Sequence, residues 1–361
     1  MRNFFIKSFY DKKILVTGHT GFKGSWLSFW IYLLGGKVMG VSNTITTKPS
    51  HYKCLNLKKK INEKIFDIRD LNKLKKVVME FKPDYVFHLA AQSIVSKSYD
   101  SPVNTWTTNS IGTINLLESL RYIKNKCSVI IITSDKSYKN LELKRGYREN
   151  DLLGGQDPYS ASKASAELAI NSYYKSFLCK KKNISLAVAR AGNVIGGGDW
   201  TKDRLIPDCA KSWSKKRSVN IRNPKSTRPW QHVLEALSGY MMLAIKIKQD
   251  SSLNGQAFNF GPNQLNNYSV VGVLQESKKS WDSVKWIIKK TNKFYESNLL
   301  KLNSTKAKKK IGWKSILNFK STIGLTINWY KNFYKKKNMY EISKNDIYFY
   351  TDQLNKKINL K

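Results

Sequence analysis

Residues 13–36 run from an aliphatic stretch, Lys13-Ile14-Leu15-Val16-Thr17, through Gly18-His19-Thr20-Gly21-Phe22-Lys23-Gly24 into a hydrophobic segment, 25–34, that stops at Gly35-Gly36. A β-branched run that ends abruptly at glycine reads as a buried parallel strand. The glycines, spaced G-x-x-G-x-x-G, then make a tight turn, 25–34 a helix, and the glycine pair its end. Such a turn aims backbone N–H groups and the positive end of a helix at an anion, and only glycine lets a pyrophosphate approach the main chain so closely. Few folds accommodate a chain that begins this way, and Gly18 to Gly24 become the first candidate dinucleotide-binding residues.

The alternation continues. A second strand covers 37–42, a third ends at Phe66-Asp67-Ile68-Arg69-Asp70, a fourth runs over 85–92 and a fifth over 128–133. A sixth, 184–190, leads into Ala191-Gly192-Asn193. An amphipathic helix is expected at 107–117 and another after Pro158. Strands alternating with helices predict an α/β fold with a doubly wound, Rossmann-type parallel sheet. Past Asn193 the pattern weakens and the loops lengthen, which predicts a smaller C-terminal substrate lobe. The expected division is 1–191 plus about 230–262 for the dinucleotide half, and about 192–229 plus 263–361 for the lobe. Residues 1–13 read as the approach to the first strand.

Ligands of open parallel sheets sit beyond the carboxyl ends of the strands. The fourth strand ends in Leu89-Ala90-Ala91-Gln92, small enough to leave room for a flat ligand, and the fifth delivers Ser134-Asp135-Lys136. Asp67 either accepts from an adenine amino group or caps the helix that holds Leu71, Leu74 and Val78. No acidic residue occurs between Asp11 and Glu63, so the second strand has no carboxylate for a ribose, and no arginine there awaits a 2′-phosphate. That criterion leaves NAD and NADP both open. Pro158 suits a first helical turn, which puts Tyr159 and Lys163 four apart on one helical face. A phenol is a poor base at neutral pH, and a nearby ammonium is expected to lower its pKa. Arg204-Leu205-Ile206-Pro207-Asp208 and the stretch from Arg222 to His232, with Arg228 and Trp230, set arginines beside prolines in rigid loops suited to phosphate capture.

Composition excludes several classes. The net charge of +39 raises nucleic-acid binding, but the lysines are dispersed in short clusters such as 58–60, 180–182, 308–310 and 335–337, and form no stripe. No run of about 18 apolar residues is present. Cys54, Cys127, Cys179 and Cys209 form no C-x-x-C, which fits a reducing cytoplasm. His19, His51, His88 and His232 have no ligand spacing, so no metal is expected, and there is no G-x-S-x-G elbow for a serine hydrolase.

With these motifs in view, the chain resembles the extended short-chain dehydrogenase/reductase family, and within it the dehydratases acting on CDP-glucose. The resemblance runs through TGHTGFKGSW at 17–26, HLAAQ at 88–92, TSDKSY at 133–138, GGQDPYSASKASAE at 154–167, ARAGNVIGGGDW at 189–200, DRLIPD at 203–208 and RPWQHVLEALSGY at 228–240. It covers roughly 13–330, with Gln156 standing where the family has histidine. The resemblance implies NAD, held by Gly18, His19, Thr20, Gly21, Phe22, Lys23, Gly24, Asp67, Ile68, Leu89, Ala90, Ala91, Gln92 and Thr107 together with Tyr159 and Lys163. It implies a nucleotide-sugar substrate, CDP-glucose, on Asn193, Arg204, Leu205, Ile206, Arg228, Trp230 and His232. Tyr159 would remove the C4 hydroxyl proton, Lys163 would lower its pKa, Ser134 would hold the same hydroxyl and Asp135 would be the acid of a C5/C6 elimination. Lys136 stands where related dehydratases have a glutamate base, and is either the C5 base or a fixed cation that stabilises the enolate. A homodimer or homotetramer, paired through the helices holding 108–117 and 159–174, is implied as well. A nucleotide-sugar 4-epimerase of the same fold and a non-catalytic basic binding protein remain as alternatives; the Asp135-Lys136 dyad counts against the first, and dispersed lysines against the second.

Overall fold

A computed structural model of the chain describes residues 2–262, 268–289 and 300–357. The chain opens with a helix, α1 (Arg2–Phe9), where the sequence suggested only an approach to a strand. Phe5 and Phe9, one turn apart, are fully buried. Phe9 packs against the rings of Tyr85 and Phe87 at 4.9 and 6.3 Å, and Phe5 against Trp30 at 5.8 Å. Burial of that aromatic face holds a short helix that its own propensity would not.

Then come β1 (Lys13–Thr17), α2 (Phe22–Leu33), β2 (Lys37–Ser42), α3 (His51–Cys54), β3 (Asn62–Ile65), α4 (Leu71–Phe81) and β4 (Tyr85–His88). The third strand is shorter than expected: after the Phe66 N–H bonds the Ser42 carbonyl at 2.9 Å, residues 66–70 leave the sheet. Next are α5 (Val95–Asp100), α6 (Pro102–Trp106) and α7 (Gly112–Leu120), the last two joined through a widened turn at Thr107–Ile111. β5 (Cys127–Ile132), α8 (Pro158–Tyr173) and β6 (Ile184–Ala191) follow, and after them β7 (Val194–Ile195), α9 (Leu205–Ser214), β8 (Val219–Ile221), β9 (Thr227–Arg228) and β10 (Gln231–His232). The remaining elements are α10 (Val233–Gln249), β11 (Ala257–Phe260), β12 (Tyr268–Ser269), α11 (Val270–Lys278), β13 (Trp286–Ile288), α12 (Thr305–Ile311), α13 (Phe319–Tyr334) and α14 (Met339–Lys357).

Seven strands form one parallel sheet in the order β11-β6-β5-β4-β1-β2-β3. The chain builds outward from β1 to β3, then returns to β4 and builds the other way, so the order reverses between β1 and β4 and a crevice opens there. Successive residues serve opposite faces, as the pleat demands. Ile14 and Val16 of β1 join one core with α1, α2, α10 and α13, whereas Leu15 joins the other with α4 and α7. Both faces are covered, which is why each strand reads as a continuous apolar run.

The lobe's short pairs, β8 with β13 and β9 with β12, flank the carboxyl ends of the sheet. Part of the segment that the sequence assigned to the lobe packs elsewhere, and 263–267, 290–299 and 358–361 lie outside the described residues. α14 covers α2 and α10: Tyr350 meets Trp30 edge-on at 5.7 Å, and Ser343 Oγ lies 3.2 Å from His51 Nε2. Glu235, in the first turn of α10, ties these parts together. It accepts from Ile316 N at 2.8 Å, Leu317 N at 2.6 Å and the Tyr350 hydroxyl at 2.9 Å. Burial pushes its carboxyl up to about 7, against those donors. A carboxyl with a folded pKa above its unfolded value contributes stability that is complete below about 4.5 and is lost as pH rises through about 7. Melting temperature followed from pH 4.5 to 8.5 is expected to fall less in Glu235→Gln, which keeps an acceptor for Ile316 and Leu317, than in the wild type. Parallel curves would exclude Glu235 as the group responsible.

Candidate active site

The glycine turn lies flat on the end of β4. Gly18 has φ +78°, donates to the Val41 carbonyl at 2.7 Å and accepts from Gly21 N at 3.0 Å. A Cβ on Gly18 would stand 2.7 Å from Ala90 N, and one on Gly24 2.0 Å from the Gly18 carbonyl oxygen. Neither position tolerates a side chain. Gly21 occupies the N-cap of α2 and gives it no side-chain cap, so the first-turn amides face the cleft with Thr20, Phe22 and Lys23.

His19 does not share that orientation. It turns inward, with Nδ1 3.0 Å from Ser42 Oγ and Nε2 2.9 Å from Glu63 Oε2, and is fully buried. It supports the turn from beneath and does not line the cleft, contrary to the sequence assignment. Thr107 departs as well. It faces outward to Arg69, whose NH1 lies 3.2 Å from its hydroxyl, and Thr108 lines the cleft in its place. Asp67 and Ile68 do line it. Asp67 is bound two-pronged by Arg69, at 3.0 and 2.7 Å, which holds its carboxyl below the usual range. The cap of α4 is Asp70, which accepts from Lys73 N at 3.0 Å, so the capping alternative for Asp67 falls. The end of β2 offers Ser42, Asn43 and Thr44 to the cleft in place of an acid.

The cleft is continuous and large, about 1270 Å³. One end is formed by the glycine turn, 42–47 and Leu89, Ala90, Ala91 and Gln92; the other by Asn193, Arg204, Leu205, Ile206, Arg228 and Trp230. That exceeds the ~300–1,000 Å³ of an ordinary small-molecule pocket and suits two ligands side by side. His232 is not among its walls. It is buried at the N-cap of α10, its Nδ1 accepts from Leu234 N at 3.4 Å, and burial pushes it down to about 3, so it is neutral. Leu205 to Asp208, expected in a rigid loop, form the first turn of α9, where Pro207 forfeits no helical hydrogen bond. Arg204 precedes that turn and bonds Asp199 Oδ2 at 2.8 Å.

Between the two ends stand the residues from β5 and α8. Asp157 caps α8 by accepting from Ser160 N at 2.9 Å, Pro158 opens the first turn, and Tyr159 and Lys163 follow on one face. Ser134 caps a short 3₁₀ turn, Asp135–Ser137, by accepting from Lys136 N at 3.2 Å, and donates to Asp135 Oδ1 at 2.9 Å. Tyr159, Lys163, Ser134 and Asp135 are all buried. Burial pushes the Asp135 carboxyl above its ordinary range, outweighing Lys136, Ser134 and Lys23. Burial also raises the Tyr159 phenol to about 12, with Ser134 and Arg204 acting against it. The sequence gave that opposing role to Lys163. Here Lys163 is itself pushed down to about 8, by burial and then by Lys23, and its Nζ donates to the Ile132 carbonyl at 3.5 Å. Lys23 is a cation that the sequence placed only with the cofactor; it is also pushed down to about 8 by burial and feels Arg204, Asp135 and Asp199. Asp199, Glu167 and Arg190 went unassigned in the sequence. Glu167 was detectable only as the residue four beyond Lys163.

The sequence profile of a family described as GDP-mannose 4,6 dehydratase matches residues 15–326. The chain is 42% identical over 347 residues to the CDP-glucose 4,6-dehydratase of Salmonella typhimurium, across 94% of this chain and 97% of that one. A CDP-paratose 2-epimerase of Salmonella typhi is 27% identical, across 73% and 82% of the two chains. Among solved structures, the fold is shared with a UDP-glucose 4-epimerase of Thermotoga maritima, at TM-score 0.78, 23% identity and coverage of 89% and 99%. It is shared too with a dTDP-glucose 4,6-dehydratase of Bacillus anthracis in complex with NAD, at TM-score 0.72, 22% identity and coverage of 92% and 99%. Gly24→Ala is expected to weaken NAD binding, measured by calorimetry, by at least about tenfold, because the added methyl displaces the turn from β4. Equal affinities would place the cofactor elsewhere.

Proposed function

Because the chain belongs to the GDP-mannose 4,6 dehydratase family, we propose that it is a hydro-lyase that converts CDP-glucose to CDP-4-keto-6-deoxyglucose and water, with NAD as its cofactor. The observation that carries this reading is the cluster in which buried Asp135, Tyr159 and Lys163 and half-buried Lys136 stand at one cleft. Epimerisation at C4 needs the Tyr/Lys pair alone; loss of water needs an acid and a base as well.

The walls fit a dinucleotide: Gly18 leaves no volume for a Cβ beside Ala90, nor Gly24 beside the Gly18 carbonyl, and the uncapped first turn of α2 opens to the same space. When bound, NAD supplies a reversible two-electron oxidation, taken up at sugar C4 and given back at C6. Tyr159 accepts the C4 hydroxyl proton as phenolate, a form that burial disfavours and that Ser134 and Arg204 favour, and Ser134 holds the same sugar oxygen. A ketone at C4 makes the C5 proton acidic. Lys136 takes that proton, the C6–O bond breaks, and Asp135 protonates the departing hydroxyl to give water. Burial moves the Asp135 carboxyl upward, the direction a general acid requires. Arg204 and Arg228, on the lobe side of the cleft, suit the diphosphate. This divides the labour between a dinucleotide half around the glycine turn and a substrate lobe around 193–230.

CDP-glucose incubated with the protein is expected to give the alkali-induced absorbance of a 4-keto-6-deoxy sugar. Interconversion of UDP-sugars without that product would replace the reading with an epimerase. Run in deuterium oxide, the wild type is expected to place deuterium at C5 and Lys136→Met to lose it. Unchanged incorporation would leave Lys136 as a fixed cation that stabilises the enolate.

The same reading carries a cytoplasmic location and a supply of deoxysugar for surface polysaccharide such as lipopolysaccharide O-antigen. Among the described residues no helix is long and apolar enough to cross a membrane. A second copy of the chain is the partner proposed for α6, α7 and α8. Val103 is 74% exposed and Leu168 63%, and Trp106 and Ile111 lie open on the same helices. Light scattering is expected to give a dimer or tetramer for the wild type and a monomer for Ile111→Glu/Leu168→Glu; a monomeric wild type would exclude the pairing.

A further inference from the structure

Two consecutive residues at the carboxyl end of β5 are each tied to α8. The Ile132 carbonyl accepts from Lys163, and the Thr133 hydroxyl donates to Glu167 Oε1 at 2.6 Å. Tyr159, Lys163 and Glu167 are spaced four apart and share one face of α8. The first two belong to the reaction; Glu167 has no part in it so far.

Glu167 is 5% exposed and Arg190, on β6, 3%. Arg190 Nε lies 2.9 and 3.0 Å from the two carboxylate oxygens, and its NH2 also bonds Oε2. The guanidinium continues outward: NH1 donates to the Tyr138 hydroxyl at 2.6 Å and to the Glu149 carbonyl at 3.1 Å. The Tyr138 hydroxyl in turn donates to Asn259 Oδ1, on β11, at 2.8 Å. This network runs from α8 across β5, β6 and β11, and Tyr138 closes the turn that carries Asp135 and Lys136. A buried ion pair adds little to stability, because desolvation costs several kcal/mol per ion and an apolar replacement of equal volume often does as well. What it supplies is fixed geometry, and a charged fork bound on both prongs is well suited to that.

We propose that Glu167, gripped by Arg190, is a positioning residue of the reaction centre: through Thr133 it fixes where the end of β5 presents Ser134, Asp135 and Lys136 to Tyr159 and Lys163. The chemistry it serves is that of the dehydratase reading. The backbone N–H of Thr133 bonds the Ala189 carbonyl at 3.0 Å, so its main chain is held by β6 and its side chain by α8. Without the second tie, the turn that follows loses its side-chain anchor to the Glu167–Arg190 pair.

Thr133→Val removes the hydroxyl while leaving the Glu167–Arg190 pair whole. Its kcat for CDP-glucose is expected to fall about tenfold to a hundredfold, since a displacement on the order of 1 Å costs that much. KM, NAD affinity and melting temperature should stay close to those of the wild type. Glu167→Gln keeps an acceptor for Thr133 but removes the anion on the helix of Lys163, which Lys23 of α2 and His88 of β4 also face. The alkaline limb of its kcat/KM profile is expected to move to lower pH, because the Lys163 ammonium loses a neighbour that favours it. Should Glu167→Gln fail to fold, Thr133→Val decides alone. An unchanged kcat in Thr133→Val, or a loss confined to KM, overturns the role. Wild-type turnover of CDP-glucose is the control: its absence overturns the function, whereas equal turnover in wild type and variant overturns the positioning.

Discussion

In the space between β5, α8 and the first turn of α2, burial acts on four ionisable side chains at once. It raises Tyr159 and Asp135 and lowers Lys23 and Lys163. Each is thereby driven toward its neutral form, and near neighbours oppose burial: Ser134 for Tyr159, Lys136 for Asp135, Glu167 for Lys163. Desolvation moves the carboxyl and the two ammonium groups toward each other in pH and moves the phenol away from them. The remainder of the structure serves to hold the four in place.

Burial of the apolar core depends on the sheet. Both of its faces are covered, and α14 returns from the far end of the chain to close over α2. Position depends on where the strands stop. β1 and β4 end together, Thr17 beside His88, at the reversal of strand order, and the glycine turn can lie there because Gly18 and Gly24 have no Cβ. β5 ends one strand further along, and its last residues are stitched to α8 by alternating main-chain and side-chain bonds. A parallel sheet places every strand's carboxyl end on one edge, so residues distant in sequence meet there without any long loop.

Much of the fold was legible in sequence because its signals are local. The apolar runs at 13–17, 37–42 and 184–190 mark strands whose neighbours bury both faces, and Asp157-Pro158 announces the start of α8. The helix at 2–9 was missed because four residues of spacing between Phe5 and Phe9 say little until Tyr85 and Phe87 are known to lie under them. His19, Thr107 and His232 went astray for a related reason. A motif fixes where the main chain passes, but the side chain turns toward whatever partner the fold supplies. For His19 that partner is Glu63, 44 residues on; for His232 it is the amide of Leu234.

The sequence by itself determined the order of strands and helices, the glycine turn and its anion-facing helix end, and the Tyr159/Lys163 spacing, each set by contacts within a few residues. Only the tertiary structure decided which ionisable groups share a dry space, since desolvation is a property of everything packed around a side chain. It alone brought Lys23 to Asp135, turned Lys163 from the group that lowers the phenol's pKa into one that is itself depressed, and joined Glu167 to Arg190 beneath Thr133. Charges far apart in the chain act on one another there because burial weakens the screening between them.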